Sequence, residues 1–402
     1  MSAVRDGDTA LVKVLLHADS EPGMVDGAFR LAIRAYAGHM AQLLLQDGAD
    51  ASASRPEEFL SLHEAVDSGS PALVEALLDH SIRARYSRPE LSEMRDLARA
   101  WHEAGVEAEL RRRTGSHDVL VRTRVLDDEY YSVGEFTLGG TSVRDGHGAI
   151  LTDLEELLGV RASFEELMAR ALHHGQHHSA WGHAVILLAS RRDHETWAAA
   201  AALRTHAGPL HRLFGAGVLR LTHLFDGSDE DAFAGPALDL FTDWSAGEED
   251  LAVLTEVLVA LGEHADSRAD AALLPYVGHP DVGIRCAVAS GFGTWPEPPA
   301  FLDEVREALL VLMTDTDAAV RQTACRTVAE GKDHDPVFAH AMAALLDDAD
   351  RRVQVTAAYG LALHDDERCV EAARRLPPTP PGSPHEHELD AVWRYEWRRD
   401  GH

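Results

Sequence analysis

The sequence predicts an all-α protein, a helical repeat solenoid in two parts with a short β-hairpin-like insert between them. Three observations point there. Gly7, Gly38 and Gly69 recur at intervals of 31 residues in similar surroundings, and Asp-led segments recur at 281, 317 and 350. Aromatic residues are only 6% of an alanine-rich chain, which suits tightly packed helix pairs better than sheets. A fixed period near 30 residues marks stacked units, because one helix pair cannot bury its own apolar face. At 402 residues the chain also exceeds the size at which a single core keeps growing.

Residues 1–115 form the first part. The windows Ala3-Val-Arg-Asp-Gly-Asp, Ala35-Tyr-Ala-Gly-His and Ala65-Val-Asp-Ser-Gly-Ser each precede an apolar run, such as Leu43-Leu-Leu or Leu73-Val74 with Leu77-Leu78. The stretch Leu31-Ala-Ile-Arg-Ala-Tyr-Ala-Gly-His-Met-Ala-Gln-Leu-Leu-Leu-Gln-Asp-Gly-Ala-Asp is the fullest copy, and Leu62-His63 opens another. Over about residues 3–113 the chain resembles the ankyrin-repeat family. That resemblance implies that Gly38 turns the chain between helices and that Gly48 ends the second helix in a left-handed conformation. The family's Thr-Pro before the first helix is replaced by Phe29-Arg30 and Leu60-Ser61. A helical cap at 89–113, with Trp101 and Leu110 on its apolar stripe, closes the stack.

Residues 116–150 break the helical pattern. Val119–Leu126 is partly alternating, Asp127-Asp128 signals a turn, Tyr130–Leu138 alternates again, and Gly139-Gly140 gives a second turn. This reads as a hairpin joining the two solenoids. Glu129, Tyr130, Tyr131, Asp145 and His147 would then lie along a groove at the junction.

Residues 151–376 form the second part. Asp281-Val-Gly-Ile-Arg-Cys-Ala-Val, Asp317-Ala-Ala-Val-Arg-Gln-Thr-Ala and Asp350-Arg-Arg-Val-Gln-Val-Thr-Ala superimpose. They resemble HEAT repeats, a likeness that extends more weakly back to about residue 163. It implies that the turn Asp caps the second helix of each pair and joins Arg285 or Arg321 in an inter-repeat polar ladder, with Gln354 departing from the pattern. First helices are expected at 163–174, 193–206, 229–244, 266–279, 299–315 and 335–348. Second helices are expected at Ser179–Arg192, Pro209–Phe225 and Glu248–His264, besides the three Asp-led segments. The proline-rich 377–385 is a stiff linker. Residues 386–402 hold a terminal helix whose Trp393 and Trp397 are expected to dock on the last repeat.

The net charge of −30 disfavours nucleic acid and anionic membrane as partners. No uncharged run reaches membrane-spanning length and no leader-like segment opens the chain, so a cytoplasmic location is expected. Cys286, Cys325 and Cys369 cannot build a disulfide framework. Lysine occurs only at Lys13 and Lys332 while arginine is frequent, the usage of a GC-rich bacterial genome.

The sequence contains no GxSxG motif, phosphate loop, dinucleotide fingerprint or HExxH motif. Neither cofactor nor metal is expected. The 24 histidines are the one chemical anomaly, with His173, His174, His177 and His178 clustered at a helix end that Gly175 breaks. A solvated turn, favourable to the helix dipole, is the plainer account of them. The leading expectation is a non-enzymatic scaffold for a protein or peptide. The alternative is acid–base chemistry, such as dehydration or cyclisation, on a small organic substrate. His147 or His183 would then transfer the proton, Tyr130 or Tyr131 would orient the substrate, and Asp145 would stand beside them.

Overall fold

Short helices joined by tight turns run through most of the described residues, as the repeat spacing predicts. The computed structural model describes residues 22–34, 37–46, 62–78, 83, 86–225, 231–293, 301–331, 333–376 and 386–399. The first repeat window at Ala3, the Gly48 turn and the 377–385 linker lie outside the described residues. Two compact units divide the chain, Met1–Thr196 and Trp197–His402. Among the described residues no helix is long and apolar enough to cross a membrane.

In the first unit, α1 (Pro22–Arg34) pairs with α2 (Gly38–Gln46), and α3 (Leu62–Ser68) with α4 (Pro71–Leu77). Phe29, Ile33, Leu44, Leu73 and Leu77 fill the core between them. Helix α2 meets α4 so closely that a Cβ on Gly38 would stand 2.7 Å from the Leu73 nitrogen. The α3–α4 turn uses Gly69 at φ +73, then Ser70 as N-cap and Pro71 in the first turn. The cap follows as α5 (Arg88–Ala104), opened by a Ser87–Glu90 capping box, and α6 (Val106–Thr114). Trp101 and Leu110 are buried there.

The insert is a three-stranded antiparallel meander, one strand more than a hairpin. It comprises β1 (Val121–Leu126), β2 (Ser132–Leu138) and β3 (Thr141–Arg144), with Val125 opposite Val133 and Phe136 opposite Val143. Gly139 and Gly140 both take positive φ, the conformation a two-residue hairpin turn of the primed type requires. The meander lies within the first unit, before α7 (His147–Leu157), α8 (Phe164–His174) and α9 (Ser179–Ser190). Helix α7 packs on α5 and α9. Its buried Glu155 is held by Arg99 and Arg170.

The sheet is anchored by one buried carboxylate. Asp127 accepts from Ser70 Oγ at 2.6 Å, from the Ala72 N–H at 2.7 Å and from Arg144 Nη1 at 3.1 Å. It therefore caps α4 while tying β1 to β3.

Helix α10 (His194–Ala202) crosses the division between the units and ends in a 3₁₀ turn, Leu203–Thr205. The second unit continues with α11 (Pro209–Leu224), α12 (Ala234–Ser245), α13 (Leu251–Gly262) and α14 (Ser267–Leu273). Then come α15 (Val282–Gly291), α16 (Asp303–Leu312), α17 (Ala318–Glu330), α18 (Pro336–Leu345) and α19 (Arg351–Leu363). Helix α14 stops short of residue 279 because Pro275 turns the chain into a 3₁₀ segment, Leu274–Tyr276. The second helices pack in series, α11 on α13, α13 on α15, α15 on α17 and α17 on α19.

Asp250, Asp281, Asp317 and Asp350 each cap a second helix. They are not the ladder's acceptors. Arg212, Arg285 and Arg321 instead form two-pronged pairs with Glu248, Asp315 and Asp348, each two residues before the capping Asp of the next repeat. The capping side chain is already committed to its own helix N–H groups, which is why the bridge shifts. Gln354 keeps only a carbonyl bond, to Asp348 at 2.6 Å.

The chain closes with α20 (Arg368–Arg375) and α21 (Glu386–Arg399). Helix α21 docks through Glu388, Ala391, Val392 and Tyr395, with Glu388 paired to Arg326. Trp393 and Trp397, expected to dock, are 70% and 60% exposed. The i, i+3, i+4, i+7 stripe that packs is the one beside them.

Removing the Asp127 carboxylate strands Arg144 and Ser70 and leaves the Ala72 N–H in the first turn of α4 without its acceptor. Asp127→Ala is expected to cost about 3 kcal/mol, read as a lowered urea midpoint by near-UV circular dichroism. A loss below about 1 kcal/mol would remove Asp127 as the anchor.

Candidate functional site

A cleft of ≈ 920 Å³ opens in the first unit, with Leu43, Glu75, Ala76 and Arg83 among its lining. Helix α7 adds Thr152, Asp153, Glu156 and Leu157, α9 adds His183, Ile186, Leu187 and Ser190, and the β1–β2 loop adds Asp128 to Tyr131. The α9 contribution is a single helical stripe at i, i+3, i+4 and i+7. Its other face, with Ala180, Ala184, Leu188 and Ala189, is buried. Helix position alone thus aims His183 into the cleft.

The loop is as tightly determined. The Asp127 N–H donates to the Tyr131 carbonyl at 3.0 Å, while Asp128 Oδ1 accepts from the Tyr130 and Tyr131 N–H groups at 2.6 and 2.5 Å. This side-chain turn holds both tyrosines over the cleft. Tyr131 rests against α9 where Gly182 leaves room: a Cβ there would lie 2.3 Å from the phenol ring. Tyr130 is 80% exposed.

Three side chains converge on the inner wall. His183 Nδ1 lies 2.7 Å from Asp153 Oδ1, and His183 Nε2 lies 3.5 Å from Glu75 Oε1. Burial opposes charge on His183, but the Asp153 carboxylate, helped by Glu75, overrides it and lifts the imidazole to about 9. Glu75 is pushed up to about 7 by partial burial, with Asp153 and Asp128 adding to the shift and His183 opposing it.

The structure thus brings Glu129, Tyr130, Tyr131 and His183 to one cleft and leaves Asp145 and His147 out of it. His147 is fully buried, its ring stacked on Trp101 at 4.8 Å. Burial pushes it down to about 4, leaving a neutral imidazole that packs as a flat core side chain. Asp145 fastens the sheet: it accepts from the Gly134 N–H at 2.7 Å and pairs with His178 Nε2 at 2.8 Å. His178 Nδ1 accepts the Ala180 N–H, so this histidine is the N-cap of α9. His174 stacks on His178 at 3.8 Å, and burial drives it to about 4. Only His173 and His177 of this cluster are exposed. The solvated turn therefore accounts for half of it, the rest being built into the fold.

Glu75, Asp153 and Glu156 carry no local motif and escape a sequence reading. Asp153 and His183 are 30 residues apart and Glu75 lies on another repeat, so only the tertiary fold unites them.

Comparison with known proteins bears on the second unit. Residues 271–362 match the family model described as HEAT repeats. No curated protein matches the chain. Among solved structures, the chain is similar to the Escherichia coli protein YibA at 14% identity and a TM-score of 0.42, covering 58% of this chain and 93% of that one. It is also similar to an engineered protein at 14% identity and a TM-score of 0.44, covering 95% and 97%.

Two outcomes test this site's supports. A histidine held below its unfolded value of 6.5 leaves stability whole above that pH and withdraws it as pH falls toward 4, where only the unfolded chain takes up the proton. Between pH 7 and 5, His147 is expected to account for about 2 kcal/mol of lost stability. His147→Phe should shrink that loss in urea titrations at the two pH values; an unchanged loss would contradict it. Gly182→Ala is expected to destabilise by about 1–3 kcal/mol by displacing Tyr131. The same change on a Tyr131→Ala background should cost far less, and equal costs would place the strain elsewhere.

Proposed function

We propose that the protein is a non-enzymatic interaction scaffold whose first unit, an ankyrin-like stack, takes a basic segment of a protein partner into this cleft. The observation behind the proposal is the charge of the walls. Glu75, Asp128, Glu129, Asp153 and Glu156 face Arg83 and His183, with Tyr130 exposed among them. A lysine or arginine side chain entering there gains carboxylate partners and an aromatic face, both of which suit a cation. The net charge of −30 would speed the approach of a basic partner. The ankyrin likeness is supported by the paired helices α1–α2 and α3–α4 and by the close fit of Gly38 against α4. HEAT-like pairs in the second unit would supply a rigid stack.

The convergence of His183, Glu75 and Tyr131 on one cleft favours a second reading, acid–base work on a small organic molecule. Fluorescence anisotropy with an Arg/Lys-rich peptide and a Glu-rich peptide of equal length separates the two. The scaffold reading expects saturable binding of the basic peptide alone, weakened at high salt and at least about fivefold weaker in Glu129→Gln/Glu156→Gln. Equal affinity for both peptides would sink it. Native mass spectrometry showing a stoichiometric small molecule that the peptide does not displace would turn the assignment to the second reading.

A further inference from the structure

We propose that Glu75 and His183 form a binding site for a divalent first-row metal ion such as Zn²⁺, with Asp153 orienting the imidazole. His183 is nine-tenths buried, with 10% of its side chain exposed, and it faces the cleft. Its Nδ1 is committed to Asp153 at 2.7 Å, which leaves Nε2 as the atom that can donate to a metal. The nearest acidic oxygen to Nε2 is Glu75 Oε1 at 3.5 Å. A direct charged hydrogen bond would close to about 2.8 Å. The observed gap instead matches the edge between two ligands on a tetrahedral ion, about 3.4 Å for metal–ligand bonds near 2.0–2.1 Å.

A second observation points the same way. Asp153 Oδ2 is buried and has no hydrogen-bond partner, although Oδ1 of the same carboxylate is bound to His183. A buried carboxylate oxygen left unmatched is costly unless positive charge stands nearby. The His183 ring meets that need only through Oδ1, and an ion between Nε2 and Glu75 would add positive charge beside it; Glu75, Asp153 and His183 offer ligand atoms all within 4.8 Å of one another. An imidazole with carboxylates suits Zn²⁺, Co²⁺ or Ni²⁺ better than Ca²⁺. The remaining coordination positions face the cleft, open to water or to a donor group from whatever enters it. The other cluster of this kind among the described residues, Asp145 with His174 and His178, differs because both ring nitrogens of His178 are already occupied.

The site goes beyond the docking reading and does not require it. Calorimetric titration of chelator-treated full-length chain with Zn²⁺ should show one site that His183→Asn and Glu75→Gln each weaken about 100-fold, and that Asp153→Asn weakens about 10–100-fold. Co²⁺ should give the visible absorption of a four-coordinate ion in the wild type and lose it in both ligand variants. His174→Asn should change neither result. Glu75 is on the cleft wall with 42% of its side chain exposed, so its variant tests the site even where the His183 change harms folding. Zn²⁺ binding of equal strength in wild type, Glu75→Gln and His183→Asn would mean scattered surface histidines and overturn the site. A cleft that binds no metal yet still captures the basic peptide would remove the ion and leave the docking reading standing.

Discussion

The Asp127 carboxylate sits where three demands meet, and the rest of the first unit follows from it. It accepts the Ala72 N–H in the first turn of α4, which carries Glu75, and the hydroxyl of the N-cap Ser70. It holds Arg144 at the end of β3, and it begins the loop that carries Tyr130 and Tyr131. A buried carboxylate is tolerable only when each lone pair has a partner, and the helix N-terminus is an environment that already favours negative charge. Its neighbour Asp128 repeats the device at smaller scale, accepting the N–H groups of the two tyrosines. Two adjacent acids thus set one wall of the cleft relative to another.

The second unit meets the same need by repetition. Each ladder arginine places two nitrogens on the next repeat's carboxylate and one on carbonyls of its own turn, His279 and Pro280 for Arg285, Asp315 and Thr316 for Arg321. The carboxylate in turn accepts the N–H of the capping Asp, as Asp315 does from Asp317. Every junction is therefore complete in itself, and helix pairs can be added without a central anchor. The planar fork of arginine makes this possible, since a lysine ammonium could not set two parallel bonds on the carboxylate while also holding the carbonyls. Where Gln354 replaces the arginine, the carbonyl contact survives and the forward pairing is absent.

Helix positions were legible because periodicity and capping residues are local. Ser163, Asp250, Asp281, Asp317 and Asp350 mark their helices by chemistry acting within three residues, and the glycine pair 139–140 announces its turn by conformation alone. The cleft was legible only in part, through the loop at 129–131 and His183. Glu75 and Asp153 look like ordinary helical acids in sequence, and their partnership with His183 spans 108 and 30 residues. The ladder failed in detail for a related reason. Spacing locates an arginine but cannot say which of two nearby acids is already engaged. At α21 the two tryptophans are the most conspicuous residues, yet burial followed the stripe of Glu388, Ala391, Val392 and Tyr395.

Histidine abundance in this chain is not one signal but several. His147 packs on Trp101, His178 caps α9, and His264 stacks on His223. Burial lowers His147 and His264 to about 4, so both serve as neutral rings whose flat shape matters more than their proton. His183 differs in one respect only: a carboxylate reaches each side of its ring, and Asp153 grips it at 2.7 Å. That single change reverses the direction of the shift despite comparable burial. Desolvation alone makes His147 and His264 structural; a carboxylate on each side of a ring that faces open space sets His183 apart. The cleft is the one place among the described residues where such a histidine also meets open space and an aromatic wall, and that coincidence, rather than the count of histidines, marks the site.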